Sequence, residues 1–122
     1  MIRGALLALT LAPACAAAAQ EPGEVDTGVG AVLRTLDKIN GEAEDVTLRN
    51  GARTDLGRLT IRLEECRYPK GSPATDAWAL LRISEDGQDD PLFHGWMIAS
   101  SPALNPLDHT RYDVWVLRCT TS

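Results

Sequence analysis

Two adjacent hydroxyls, an imidazole and two carboxylates lie close together near the C-terminus: Ser100, Ser101, Asp108, His109 and Asp113. These are the residue types of a nucleophilic triad, in which a base touches the hydroxyl and an acid orients the base. No G-x-S-x-G elbow surrounds either serine. Ser-Ser-Pro is better suited to ending a strand, its hydroxyls satisfying local backbone groups. The expectation is a chain without catalytic residues. A small hydrolase centred on His109, using a serine or a metal, is the enzymatic alternative.

Metal chemistry meets a similar test. His94 and His109 are the chain's two histidines. Catalytic zinc typically takes three protein ligands and a water. Asp90, Asp108 or Asp113 could supply a third, but no helix-face or Cys-pair spacing brings one in. EDGQDD, residues 85–90, shares a calcium loop's composition but not its twelve-residue pattern ending in Glu. No cofactor or metal is expected, and the acidic run reads as an exposed hairpin tip.

Aromatic residues offer the other chemistry. Three Trp accompany a single Phe. Trp78, Trp96 and Trp115 are expected to build the core, with indole N–H groups finding partners. Trp115, Leu117 and Cys119 alternate along one face of the last strand, which predicts an inward Trp115 with Cys119 against its ring. The competing possibility is an aromatic anchor at an interface, or a glycan held on Trp96 or Trp78. The candidate binding residues are therefore Trp96, Ser100, Ser101, Asp108, His109, Arg111 and Tyr112, most of them in the loop from Ser100 to Arg111.

The elements that would position these residues follow from the leader and from the strand pattern. MIRGALLALTLAPACAAAAQ has a short basic start, an apolar run to Ala12 and a small-residue stretch at 17–19. That is the pattern of a cleaved secretory signal over residues 1–19. A membrane anchor is disfavoured, because a span needs roughly 20 apolar residues before a break such as Pro13. Lipidation at Cys15 is weaker still, since Leu11 stands four positions before the cysteine rather than three. The expected location is the periplasm, with no direct membrane span after cleavage. Of the three cysteines, Cys66 and Cys119 would remain; an even count in an exported chain predicts a Cys66–Cys119 disulfide. A net charge of −5 without a Lys/Arg cluster argues against nucleic acid.

Residues 20–30 are acidic and glycine-rich and are expected as a flexible arm. Residues 31–122 form one β domain. Strands are expected at 31–37, 44–49, 59–66, 76–84, 91–101 and 112–119, with turns at Asn40-Gly41, Asn50-Gly51 and Leu56-Gly57-Arg58. LTIRLEEC gives the cleanest alternation, Leu59, Ile61 and Leu63 on one face. Cys66 falls on the opposite parity, so Glu64-Glu65 is expected to be either a bulge returning it inward or the strand's end. A short helical turn is expected after Ser101. The fold class is all-β: a small sandwich or partly open barrel of about six to eight short antiparallel strands with one short helical turn.

GWMIASSPALNPLDHTRYDVWVLRC, together with LRTLDKINGEAEDV and LGRLTIRLEECRYP, resembles the exported bacterial, alphaproteobacterial domain-of-unknown-function family 2155. The resemblance runs from about Leu33 to Cys119. It implies His-Pro where this chain has His109-Thr110, so the turn into the last strand is a point of departure. It implies no biochemical activity. It does imply an envelope protein, encoded by genes often near that of a small accessory subunit of respiratory complex I. The expected partner is accordingly a protein of the cell envelope or an inner-membrane complex.

Overall fold

The computed structural model describes residues 4–13 and 23–122. Residues 4–13 are exposed and carry no strand or helix. Among the described residues no helix is long and apolar enough to cross a membrane. The expected cleavage stretch at 17–19 and Cys15 lie outside the described residues.

Among the described residues, eight strands form two antiparallel sheets packed as an open sandwich rather than a closed barrel: β1 Val25–Thr27, β2 Gly30–Asp37, β3 Ala43–Arg49, β4 Arg53–Leu56, β5 Leu59–Pro69, β6 Trp78–Glu85, β7 Phe93–Ile98 and β8 Tyr112–Thr120. The first sheet runs β1-β5-β6-β7, with β4 also on β5; the second runs β3-β2-β8. The eleven-residue β5 is long enough to carry two short partners on one edge. β4 pairs with Leu59–Arg62 and β1 with Arg67–Pro69. Between them Leu63 O accepts from Gly51 N and Cys66 O from Gly28 N, each at 2.7 Å. This edge therefore keeps few orphan backbone groups. Residues 20–30 are thus not all arm, because Val25–Thr27 add an edge strand.

The core lies between the sheets. Leu59, Ile61, Leu63, Leu81 and Ile83 of one sheet meet Leu33, Val114 and Val116 of the other. The alternation of LTIRLEEC is kept through Leu63, and the ladder to β6 then shifts between Leu63 and Glu65. The Glu64-Glu65 bulge returns Cys66 to the inner face, where it is fully buried.

A second bulge lies in β8 and interrupts the alternation expected there. Leu33 pairs with Val116 but Val32 with Arg118, so Leu117 is the extra residue. Tyr112, Val114 and Val116 face inward, and the parity resets so that Cys119 does too. Two corrections follow. Trp115 points away from the inter-sheet core, and it does not share a face with Cys119. The two bulges bring the cysteines together across the sheets, and a Cys66–Cys119 disulfide joins β5 to β8 with the Cα atoms 5.7 Å apart. None of the three Trp belongs to the buried core, which is mainly aliphatic with Phe93 and Tyr112 as its aromatic members. The helical turn expected after Ser101 is a plain turn, Leu104 N donating to Ser101 O at 3.1 Å, with no helix around it.

Candidate functional site

The loop from Ser100 to Arg111 begins and ends at opposite ends of β6. At its start, Ser100 Oγ donates to Asp76 Oδ2 at 2.8 Å. Ser100 N and Ala77 N both donate to Asp76 Oδ1, at 3.0 and 2.8 Å. Asp76 thereby fastens the exit of β7 to the entry of β6. At the loop's far end, His109 Nε2 lies 3.7 Å from Glu85 Oε1, on the last residue of β6. Eight strand residues separate these ends, roughly 25 Å. The serine and histidine that stand close in sequence are held far apart. Ser101 N donates to Ile98 O in the turn leaving β7, and Asp108 is exposed.

His109, Arg111 and Tyr112 do come together. The Nδ1 atom of His109 accepts from Arg111 N and Tyr112 N, both at 3.1 Å, which fixes the imidazole with Nε2 toward Glu85. Its ring stacks on Tyr112 at 5.5 Å. Arg111 Nη2 donates to Asp37 Oδ2 at 2.9 Å, and its Nε adds a second contact at 3.2 Å. This hydrogen-bonded guanidinium holds the Asp37 carboxyl below its ordinary range, helped by Ile39 N and Asn40 N and opposed by partial desolvation. The same pairing raises Arg111. Lys38 Nζ donates to the His109 carbonyl, and Lys38 N to the Arg111 carbonyl. Sequence reasoning missed Asp37, Lys38 and Glu85 because they come from β2, its turn and β6.

What this cluster can do chemically is limited by how its atoms are committed. Both backbone donors converge on the lone pair a general base would use. Among the described residues no hydroxyl side chain hydrogen-bonds His109, and no group of three or more His, Cys, Asp or Glu is placed to hold a metal. Tyr112 also packs over the β4–β5 turn, where Gly57 has φ +58° and a Cβ would strike the phenol. The cluster therefore ties together the last strand, the β2–β3 hairpin and the β4–β5 turn.

The outer face of the first sheet is different. β6 is buried at Ala79, Leu81 and Ile83, which turns Trp78 and Leu80 outward. Trp78 pairs with Ile98 and with Arg67, and Leu80 pairs with Trp96, so these side chains share one face. Val25, Arg67, Trp78, Trp96 and Ile98 line a groove of about 240 Å³. The Arg67 guanidinium sits 5.2 Å from the centre of the Trp96 ring and its Nε donates to Glu65 at 2.7 Å. That arrangement holds the indole by a cation–π contact. Gly95, beside Trp96, is small because Asn105 crosses there: a Cβ would lie 3.0 Å from its Nδ2, which donates to Trp96 O. The loop thus braces Trp96 from behind the strand edge. Of the candidate binding residues, Trp96 alone reaches this groove; Val25, Arg67 and Ile98 were not singled out. Their common face is a matter of cross-strand register, with no local sequence signal.

A family model described as an uncharacterized protein conserved in bacteria (DUF2155) matches residues 31–119. An uncharacterized protein of Rickettsia prowazekii (strain Madrid E) is 32% identical over 87 residues, covering 69% of this chain and 56% of the relative. The chain thus spans little more than half the length of that relative. No solved structure matches.

Proposed function

We propose a function for this chain, which belongs to the family of uncharacterized proteins conserved in bacteria (DUF2155), from the surface it presents: it is an exported, periplasmic β-domain that serves as a non-enzymatic accessory or binding protein of an envelope complex. The observation that carries this is the groove of Trp78, Trp96, Ile98 and Val25 on an outer sheet face. Half-buried tryptophans on an outer sheet face are the residue type that anchors protein interfaces. The Cys66–Cys119 disulfide is compatible with an oxidising compartment, and the leader pattern supports export. The periplasmic side of a respiratory membrane complex is the candidate partner suggested by the family resemblance. A saccharide on the same rings is less favoured. The residues lining the groove include no side-chain acceptor for sugar hydroxyls.

The test is affinity purification of the tagged full chain from its own envelope in mild detergent, with wild type beside Trp78→Ala/Trp96→Ala. A membrane-complex subunit recovered in stoichiometric amount with wild type and lost with the variant is the expected result. Recovery of the protein alone, or of the same partner by both forms, refutes the proposal.

A further inference from the structure

Four basic side chains stand in one cross-strand row on the outer face of the first sheet. Arg53 of β4 pairs with Arg62 of β5, Arg62 with Arg82 of β6, and Arg82 with His94 of β7. All four are exposed. Among the described residues no carboxylate forms an ion pair with Arg53, Arg62 or Arg82, while His94 Nε2 lies 3.1 Å from Glu64. Like charges directly opposite in an antiparallel sheet destabilise it. The row is also the reverse of the chain's net charge of −5. Three neighbouring guanidinium groups on an acidic protein retain a repulsion that a bound anion relieves.

The row lies beside the tryptophan groove. Glu65, Leu80 and Trp96 form the next outward row, with the Glu65 carboxylate taken up by Arg67, and Arg67, Trp78 and Ile98 form the one after. From Arg82 to Trp78 along β6 is four residues, roughly 13 Å at the rise of a strand.

We propose that this face takes an extended acidic segment of a partner protein, with an apolar side chain in the Trp78–Trp96 groove and a carboxylate about four residues away on Arg62 and Arg82. The inference rests on the groove being a partner surface and adds the partner's chemistry. An extended segment laid along the strands advances at the strand's own rise, which sets the four-residue spacing. Guanidinium forks match carboxylates in bidentate geometry, and a basic row meeting an acidic segment provides charge complementarity. An anionic bilayer is disfavoured by the chain's net negative charge. A second copy, offering its acidic tip at residues 85–90, would make a heterologous head-to-tail contact, which builds rings or filaments rather than the common two-fold dimer.

The test selects a random twelve-residue peptide display library on the full chain. Recovered peptides are then titrated against wild type, Arg62→Ala/Arg82→Ala and Trp78→Ala/Trp96→Ala, each verified as folded by circular dichroism. The expected peptides carry Asp or Glu four positions from a bulky apolar residue. Their binding weakens by about tenfold or more in the arginine variant and falls with added salt. Peptides without acidic enrichment, bound equally by the arginine variant but lost by the tryptophan variant, overturn this inference while leaving the groove as a partner site. Arginine-dependent binding to phosphatidylglycerol vesicles, or arginine-dependent self-association in sedimentation velocity, overturns it in favour of a lipid surface or a second copy. Recovery of no peptide overturns it as well.

Discussion

Replacing both half-cystines, Cys66→Ala with Cys119→Ala, removes the covalent link between the two sheets. The bond closes a loop with a sequence separation of 53. In the chain-entropy description a loop of that length restricts the unfolded ensemble by about 4 kcal/mol. Both residues are buried, at 0% and 5% exposure, so the lost sulfur contacts add to the effect rather than offset it. Set against a total of roughly 5–15 kcal/mol for a domain, this is a large share. A loss of about 4 kcal/mol corresponds to a Tm lower by roughly 15–30 °C for a domain of this size. The assay is urea and thermal unfolding followed by circular dichroism, comparing oxidised wild type, wild type in excess dithiothreitol, and the double variant. Reduced wild type and the variant should fall together, with a midpoint shift in urea. A double variant within about 1 kcal/mol of oxidised wild type would refute the reasoning. It would mean that the core alone fixes how the sheets face each other, or that the unfolded chain is already restricted without the bond.

Gly57→Ala should destabilise by about 2 kcal/mol or more, because the positive φ disfavours any side chain and the new Cβ meets the Tyr112 phenol; an unchanged urea midpoint would contradict this packing. Asp37→Asn should lower Tm at pH 7 by breaking the pair with Arg111. Since Asp37's folded pKa lies below its ordinary value of 3.8, the stabilisation is complete above that value and disappears as pH falls through the lower folded pKa. Wild type and variant should therefore converge in strong acid, and a Tm gap that persists or widens there would disprove the assignment.

Much of the fold was legible along the chain because strand alternation and turn chemistry are local. Leu59, Ile61 and Leu63 displayed their face directly, and Glu64-Glu65 marked the place where Cys66 had to change parity. Turn-forming dipeptides separated β2 from β3 and β3 from β4 at the expected points. Cys66 and Cys119 pair, as the count remaining beyond the leader pattern suggested. The failures share one cause. The bulge at Leu117 leaves no local signature: it is fixed by how β8 must match β2, and an unbroken alternation predicts an inward Trp115. Trp78 and Trp96 are large and apolar, so sequence favoured the core, whereas the space between the sheets is filled mainly by Leu, Ile and Val and leaves both rings on the outer face. Ser100 and His109 looked adjacent because the loop joining them is short in sequence, yet it spans the length of β6. Arg53, Arg62, Arg82 and His94 come from four separate strands, and their alignment depends wholly on pairing register. The sequence by itself determined six of the strands, the turns between them and the cysteine pair, because these answer to neighbours along the chain, whereas the short edge strands β1 and β4 are strands only through their pairing with β5. Tertiary structure decided which face each tryptophan shows and which charges stand side by side, because those answer to residues brought in from other strands.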